Sequence, residues 1–187
     1  MSAITLFIGG TRSGKSLCAE RYAAQFELPV LYIATAELDD DDMELTIRIM
    51  DHQIRRPLSW TTFEQPTNLV MAMEHAPPGT VVLLDCFSLL AHNLLEAHRD
   101  DHALASAILA GELDAILAMT SERNLTLIIV TKELGMGLVT DRSEDCAYHN
   151  LLGLVNQRIS AAADEVYLVI AGLPIELKHL APAWHRA

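Results

Sequence analysis

The chain has 187 residues, enough for one domain with a substantial core and too few for two comfortable ones. Its formal net charge of −12 argues against broad binding to nucleic acid, so a cluster of cations must serve a local purpose. Hydrophobic residues make up 51% of the chain, yet no apolar run continues for about 18 residues and the N-terminus leads straight into a strand-like segment; no membrane span or signal peptide is expected, and a cytoplasmic location follows as the default.

The first strand is predicted at residues 4–8. It runs into Gly9-Gly10-Thr11-Arg12-Ser13-Gly14-Lys15-Ser16, which fits G-x-x-x-x-G-K-[ST], and a helix-forming segment follows at 17–25. Strand, loop and helix in this order are what a phosphate-binding P-loop requires. The glycines let backbone N–H groups turn inward, and the new helix offers its positive end to a phosphate. In such a loop Lys15 reaches the β- and γ-phosphates and the Ser16 hydroxyl reaches Mg²⁺.

A second strand is predicted at 30–34 and a helix at 43–56, MELTIRIMDHQIRR, with Asp39 to Asp42 at its start, where the helix dipole favours carboxylates. Met43, Ile47, Met50 and Ile54 fall on one apolar stripe, which is expected to be buried. Arg48, His52 and Arg55 repeat the same spacing on another face, with Arg56 beside them. At about 100° per residue His52 lies roughly 140° from Ile47 and so points away from the buried stripe. Alone, this is a solvated basic face. Three arginines and a histidine within nine residues of an acidic chain that also carries a P-loop read instead as a second anion site. A neutral imidazole there is a competent nucleophile toward phosphorus.

Pro77-Pro78-Gly79 is a turn delivering a third strand at 81–85, whose final Asp85 has the position of a Walker-B carboxylate on Mg²⁺. His98 and His102 stand four apart without a third ligand at a diagnostic spacing and read as a surface turn. Residues 103–120 have apolar positions at helical spacing, with Gly111 costing about 1 kcal/mol and predicting a bend or break. Strands follow at 125–131 and 166–171, separated by a helix at 148–163. A short run at 175–178 beyond Ala171-Gly172-Leu173-Pro174 completes a hairpin or a folded tail. Cys18, Cys86 and Cys146, widely spaced and odd in number, read as reduced core thiols. Trp60 and Trp184 read as packing residues. Continuous apolar strands alternating with helices predict an α/β protein of three layers around a parallel sheet.

Gly9 to Ser16, Tyr32-Ile33-Ala34-Thr35, the series Arg48, His52, Arg56-Pro57, Trp60 and Glu64, and Asn156-Gln157-Arg158 together resemble one family. It is the adenosylcobinamide kinase/adenosylcobinamide-phosphate guanylyltransferase family, bifunctional enzymes of cobalamin nucleotide-loop assembly. The likeness runs from the first strand to residues 175–178. It implies a P-loop NTPase fold, RecA-like and mostly parallel with a small antiparallel element near the C-terminus, usually assembled as a homotrimer. It further implies that adenosylcobinamide is phosphorylated with ATP or GTP. A histidine then attacks GTP, releases pyrophosphate and passes GMP to adenosylcobinamide phosphate. His52 matches that histidine. Gly9, Gly10, Thr11, Arg12, Ser13, Gly14, Lys15 and Ser16 match the triphosphate loop, with Lys15 as a catalytic cation. Ala34, Thr35 and Ala36 match residues lining the nucleotide site, and Gln53, Ile54, Arg55, Arg56 and Glu64 match GTP-contacting positions. Asp85 matches an acidic residue that would join Ser16 on Mg²⁺, whereas Asn156, Gln157 and Arg158 imply structural or subunit-interface roles.

One segment departs from the family pattern. Where T-N-E-[VL]-G-x-G is usual, this chain has Thr131-Lys132-Glu133-Leu134-Gly135-Met136-Gly137, with Lys for Asn, and Val139-Thr140 stands where a proline usually follows. The loop leaves the carboxyl end of a strand, where α/β sheets bind ligands, so corrinoid contacts or the kinase half-reaction are expected to change. Glu133 is a candidate for substrate or metal contact, or for hydrogen bonding within the loop. The P-loop by itself is also open to an ordinary small-molecule kinase or a nucleotide sensor.

Overall fold

The computed structural model describes residues 2–36, 43–136, 143–182 and Trp184. Asp39 to Asp42, the side chains of Met43 and Arg48, Gly137 and Val139-Thr140 lie outside the described residues. The strands are β1 (Ala3–Gly9), β2 (Val30–Ala34), β3 (Thr61–Glu64), β4 (Val81–Asp85), β5 (Thr126–Lys132), β6 (Glu165–Ile170) and β7 (Leu173–Glu176). The helices are α1 (Lys15–Ala23), α2 (Met43–Arg55), α3 (Leu69–Met73), α4 (Phe87–Ala97), α5 (His102–Glu122) and α6 (Ser143–Ala162). They form one seven-stranded sheet in the order β3-β2-β4-β5-β1-β6-β7. Every pairing is parallel except β6 with β7.

Successive residues of a strand point to opposite faces, and here both faces are dry, which is why the strands are apolar without alternation. Leu6, Ile33, Leu84 and Ile129 enter a core covered by α3, α4, α5 and α6. Their neighbours Phe7, Tyr32, Leu83 and Ile128 enter a second core with Ala19 and Ala23 of α1. These are the three layers expected from the sequence.

Helix α5 runs unbroken from His102 to Glu122, so the bend anticipated at Gly111 does not occur. That glycine is exposed, and the fully buried Leu109, Leu113 and Ile116 hold the helix on the core through its whole length. The about 1 kcal/mol that Gly costs there is small beside such burial. Helix α5 has the length and hydropathy to cross a membrane, but its inner face belongs to the core of this domain fold.

Helix α2 reverses an expectation. Ile47, Met50 and Ile54 are 55%, 53% and 82% exposed, so the apolar stripe lies outward and the polar face turns toward the sheet. His52 does point away from the stripe, but it points into the protein. The residues after Ala171 resolve the other open point as a hairpin, with Ile170 opposite Leu173. No disulfide joins the cysteines, of which Cys86 is buried while Cys18 and Cys146 are half-buried, and Trp184 is largely exposed. His98 and His102 flank the α4–α5 junction, where the Asp101 side chain caps α5 by accepting from the Leu104 N–H at 2.9 Å.

Candidate active site

The loop between β1 and α1 turns where its glycines require. Gly14, the N-cap of α1, has φ of 91°, a conformation costly for any residue with a Cβ. A Cβ on Gly9 would lie 2.5 Å from the Val169 carbonyl oxygen of β6. The β6–β7 turn braces the loop from the side, because the Gly172 N–H donates to the Ser13 carbonyl at 2.8 Å. Lys15 is nearly buried, and its Nζ donates to the Gly10 carbonyl at 3.1 Å, so the cation curls over the loop it belongs to.

Asp85, at the carboxyl end of β4, gathers the surrounding groups. Ser16 Oγ donates to its Oδ1 at 3.1 Å and Tyr32 Oη to its Oδ2 at 2.6 Å, while His52 Nδ1 approaches Oδ2 at 3.5 Å. Burial alone would raise the Asp85 pKa, but hydrogen bonds from His52, Tyr32 and Ser16 outweigh it and hold the carboxyl below the ordinary range. Burial, and then the neighbouring Asp85 charge, push Tyr32 well above its usual value, so the phenol stays a donor.

A cavity of about 190 Å³ opens here, at the carboxyl ends of the strands. Its walls bring together Lys15 and Ser16 at the start of α1, Ala34 at the end of β2 and Ala36 just beyond it, His52 and Arg56 from the α2 region, Glu64 from β3, and Asp85. Arg56 stacks over the Tyr32 ring, 3.8 Å from guanidinium carbon to centroid. The remaining sequence candidates fall elsewhere. Thr35 is fully buried, and its hydroxyl donates to the Cys86 carbonyl and accepts from the Cys86 N–H, tying the end of β2 to that of β4. Ile54 faces solvent. Gln53 donates to Glu64 at 2.9 Å. Arg55 reaches Glu20 of α1 with Nε and Nη2, each at 3.4 Å.

In the departing segment, Lys132 lines the cavity. Glu133 is occupied within its own loop, accepting from the N–H groups of Gly135 and Met136 at 2.7 and 3.1 Å. Asn156 bonds the Thr131 hydroxyl and the Lys132 carbonyl, and Arg158 pairs with Asp114 of α5. Sequence reasoning gave no site role to Glu20, or to Tyr32 and Ile49, which line the cavity. Glu20 follows Ser16 by four residues and therefore shares its helix face, and Ile49 precedes His52 by one turn.

A mostly parallel sheet with a P-loop after its first strand and a serine–aspartate pair beside it defines a P-loop nucleotide-binding protein. The comparisons narrow this. A family profile described as cobinamide kinase / cobinamide phosphate guanyltransferase matches residues 5–177, and the chain belongs to that family. It is 38% identical over 174 residues to the bifunctional adenosylcobalamin biosynthesis protein CobP of Pseudomonas aeruginosa, covering 92% of this chain and 96% of that one. With the bifunctional adenosylcobalamin biosynthesis protein CobU of Salmonella typhimurium it shares 34% over 181 residues, covering 92% and 98%. Among solved structures, an ATPase of a bacterial type III secretion system superposes with a TM-score of 0.55 at 10% identity, covering 98% of this chain and 60% of that one. That likeness concerns the fold alone.

Proposed function

We propose that this chain, acting as one domain, phosphorylates adenosylcobinamide with ATP or GTP and then transfers GMP from GTP to the resulting phosphate through a guanylyl-histidine at His52. The observation that carries this reading is that His52 shares a cavity with Lys15, Ser16 and Asp85. A P-loop kinase needs no such histidine.

In this reading the loop from Gly9 to Ser16 holds the β- and γ-phosphates in both reactions. Phosphorylation moves the terminal phosphoryl group held by Lys15 to the corrinoid hydroxyl. Guanylylation uses the same anchor while His52 attacks the α-phosphate, with Arg56 and Lys15 offsetting charge on the leaving pyrophosphate. Dividing the transfer into two displacements leaves each step one nucleophile to position. Buried Ser13 Oγ and Arg56 Nε have no hydrogen-bond partner among the described residues, which suits donors that meet an anionic ligand. Ser16 Oγ and Asp85 Oδ1, 3.1 Å apart, are the hard oxygens that Mg²⁺ takes, and the ion would neutralise phosphate charge when bound. Gly10, Thr11, Arg12, Ala34, Ala36 and Glu64 complete the nucleotide contacts in the same proposal.

Residence in the cytoplasm and assembly as a homotrimer belong to this proposal as well; light scattering on the purified protein reads the latter, and a monomer at micromolar concentration would contradict it. The activity test supplies adenosylcobinamide and GTP with Mg²⁺ and follows both products. Appearance of adenosylcobinamide phosphate followed by adenosylcobinamide-GDP supports the reading. Accumulation of the phosphate alone makes the chain a kinase and refutes the second half.

A further inference from the structure

We infer that Glu20, a residue of α1 outside the phosphate loop, is the positioning residue that fixes which nitrogen of His52 reacts. The inference rests on the guanylyl-histidine reading above. Glu20 is 7% exposed, an uncommon burial for a carboxylate, and it sits one helical turn beyond Ser16. Its Oε1 lies 3.9 Å from His52 Nδ1, and both its oxygens face Arg55 at 3.4 Å. His52 and Arg55 are one turn apart on α2, so a single buried carboxylate grips two successive positions of that helix.

The grip matters because of how α2 is attached. Its apolar residues Ile47, Met50 and Ile54 face outward, and its described side-chain ties to the rest of the protein include the polar ones through His52, Gln53 and Arg55. Glu20 serves two of these three. Asp85, the other carboxylate at Nδ1, already accepts from Ser16 and Tyr32. Glu20 is the carboxylate near Nδ1 that is not shared with the Ser16–Asp85 pair, an electrostatic neighbour at 3.9 Å.

Two carboxylates face Nδ1, Asp85 at 3.5 Å and Glu20 at 3.9 Å, and their negative charge favours the tautomer with the proton on that nitrogen. The lone pair then resides on Nε2, which has no hydrogen-bond partner among the described residues. In the reaction Nε2 donates its pair to the α-phosphorus, the bridging oxygen departs with its bonding pair as pyrophosphate, and the ring becomes a phosphoimidazolium that retains its Nδ1 proton. When an oxygen of the acceptor phosphate attacks the same phosphorus, the N–P electrons return to Nε2. Positive charge appears on the ring only in the intermediate and the flanking transition states, so a fixed carboxylate at Nδ1 stabilises those species more than the ground state.

The test measures single-turnover formation of covalent GMP on the full chain over a range of GTP concentrations. Glu20→Gln keeps the volume and a hydrogen bond to Arg55 but removes the charge. It lowers the maximal rate about 10–100-fold while the half-saturating GTP stays within about twofold. Glu20→Asp, which restores the charge on a shorter arm, recovers part of the loss. A merely structural Glu20 gives the opposite pattern, with Asp no better than Gln and half-saturation rising as the rate falls. If Glu20→Gln does not fold, the wild-type adduct still decides: two-dimensional ¹H–³¹P spectra must place the phosphoramidate on Nε2, and an Nδ1 adduct overturns the inference. His52→Ala separates the two levels. Undiminished labelling of His52→Ala refutes the guanylyl-histidine itself, whereas silent His52→Ala with wild-type rates in Glu20→Gln refutes only the role of Glu20.

Discussion

The tightest point of the nucleotide loop yields a paired prediction. In Gly9→Ala the new Cβ would stand 2.5 Å from the Val169 carbonyl oxygen and 2.8 Å from Ser13 Oγ, where real Cβ atoms essentially never come within 3.0 Å. Ser13 Oγ is free to rotate aside. Val169 O is backbone within β6, between β1 and β7, so a strand must move by about 0.5 Å or more, and overpacking of this kind costs about 1–3 kcal/mol. Lower chain entropy in the unfolded alanine variant returns about 0.4–1 kcal/mol. The net destabilisation of about 1–2 kcal/mol lowers Tm by roughly 2–8 °C for a chain of this size. Gly10→Ala is the control, since a Cβ there meets nothing within 4 Å and Tm should change by less than about 2 °C. Thermal unfolding by circular dichroism without nucleotide reads both. Equal Tm for Gly9→Ala and wild type, or an equal fall in Gly10→Ala, refutes the claim that close strand packing dictates the first glycine.

Three further outcomes are expected. Truncating the fully buried Leu113 to Ala should cost about 2–5 kcal/mol in urea unfolding, whereas Ile54→Ser, at 82% exposure, should stay within about 0.5 kcal/mol; a large loss at Ile54 would restore the buried stripe. Because Asp85 is held below its unfolded value of about 3.9, its contribution to stability is complete above that pH and is lost as pH falls through the lower folded value. Wild type should therefore lose stability below about pH 4 by a component absent from Asp85→Asn, and parallel acid limbs would contradict this. Asn156→Ala removes both hydrogen bonds to the end of β5 and should cost about 1–3 kcal/mol, which denaturant titration would detect.

Most of the fold was legible because strands buried on both faces leave continuous apolar runs, and five of the seven announced themselves that way. Strand β3 did not. Thr61 to Glu64 is a short edge strand, largely exposed, with Phe63 as its one apolar residue, so it carries no burial pattern to read. Strand β7 was visible only as half of an undecided turn. At the site, the loop from Gly9 to Ser16 could be read because its chemistry is local in sequence. Thr35 could not be assigned the same way: its hydrogen bonds run to Cys86, 51 residues later and just beyond β4, and only the pairing of β2 with β4 brings the two together. The orientation of α2 failed for a related reason. Periodicity locates a stripe but not its partner, and here buried carboxylates on α1 and β4 draw the polar face inward.

The central claim, that His52 becomes covalently guanylylated while the P-loop holds the rest of GTP, is tested most directly by labelling. Protein is incubated with Mg²⁺ and GTP carrying the label in its α-phosphate, denatured, and digested for peptide mapping. The account predicts an acid-labile, base-stable adduct confined to the peptide containing His52, absent from His52→Ala and absent when the label is in the γ-phosphate. Label retained by His52→Ala, or an adduct mapped to any other residue, would contradict it.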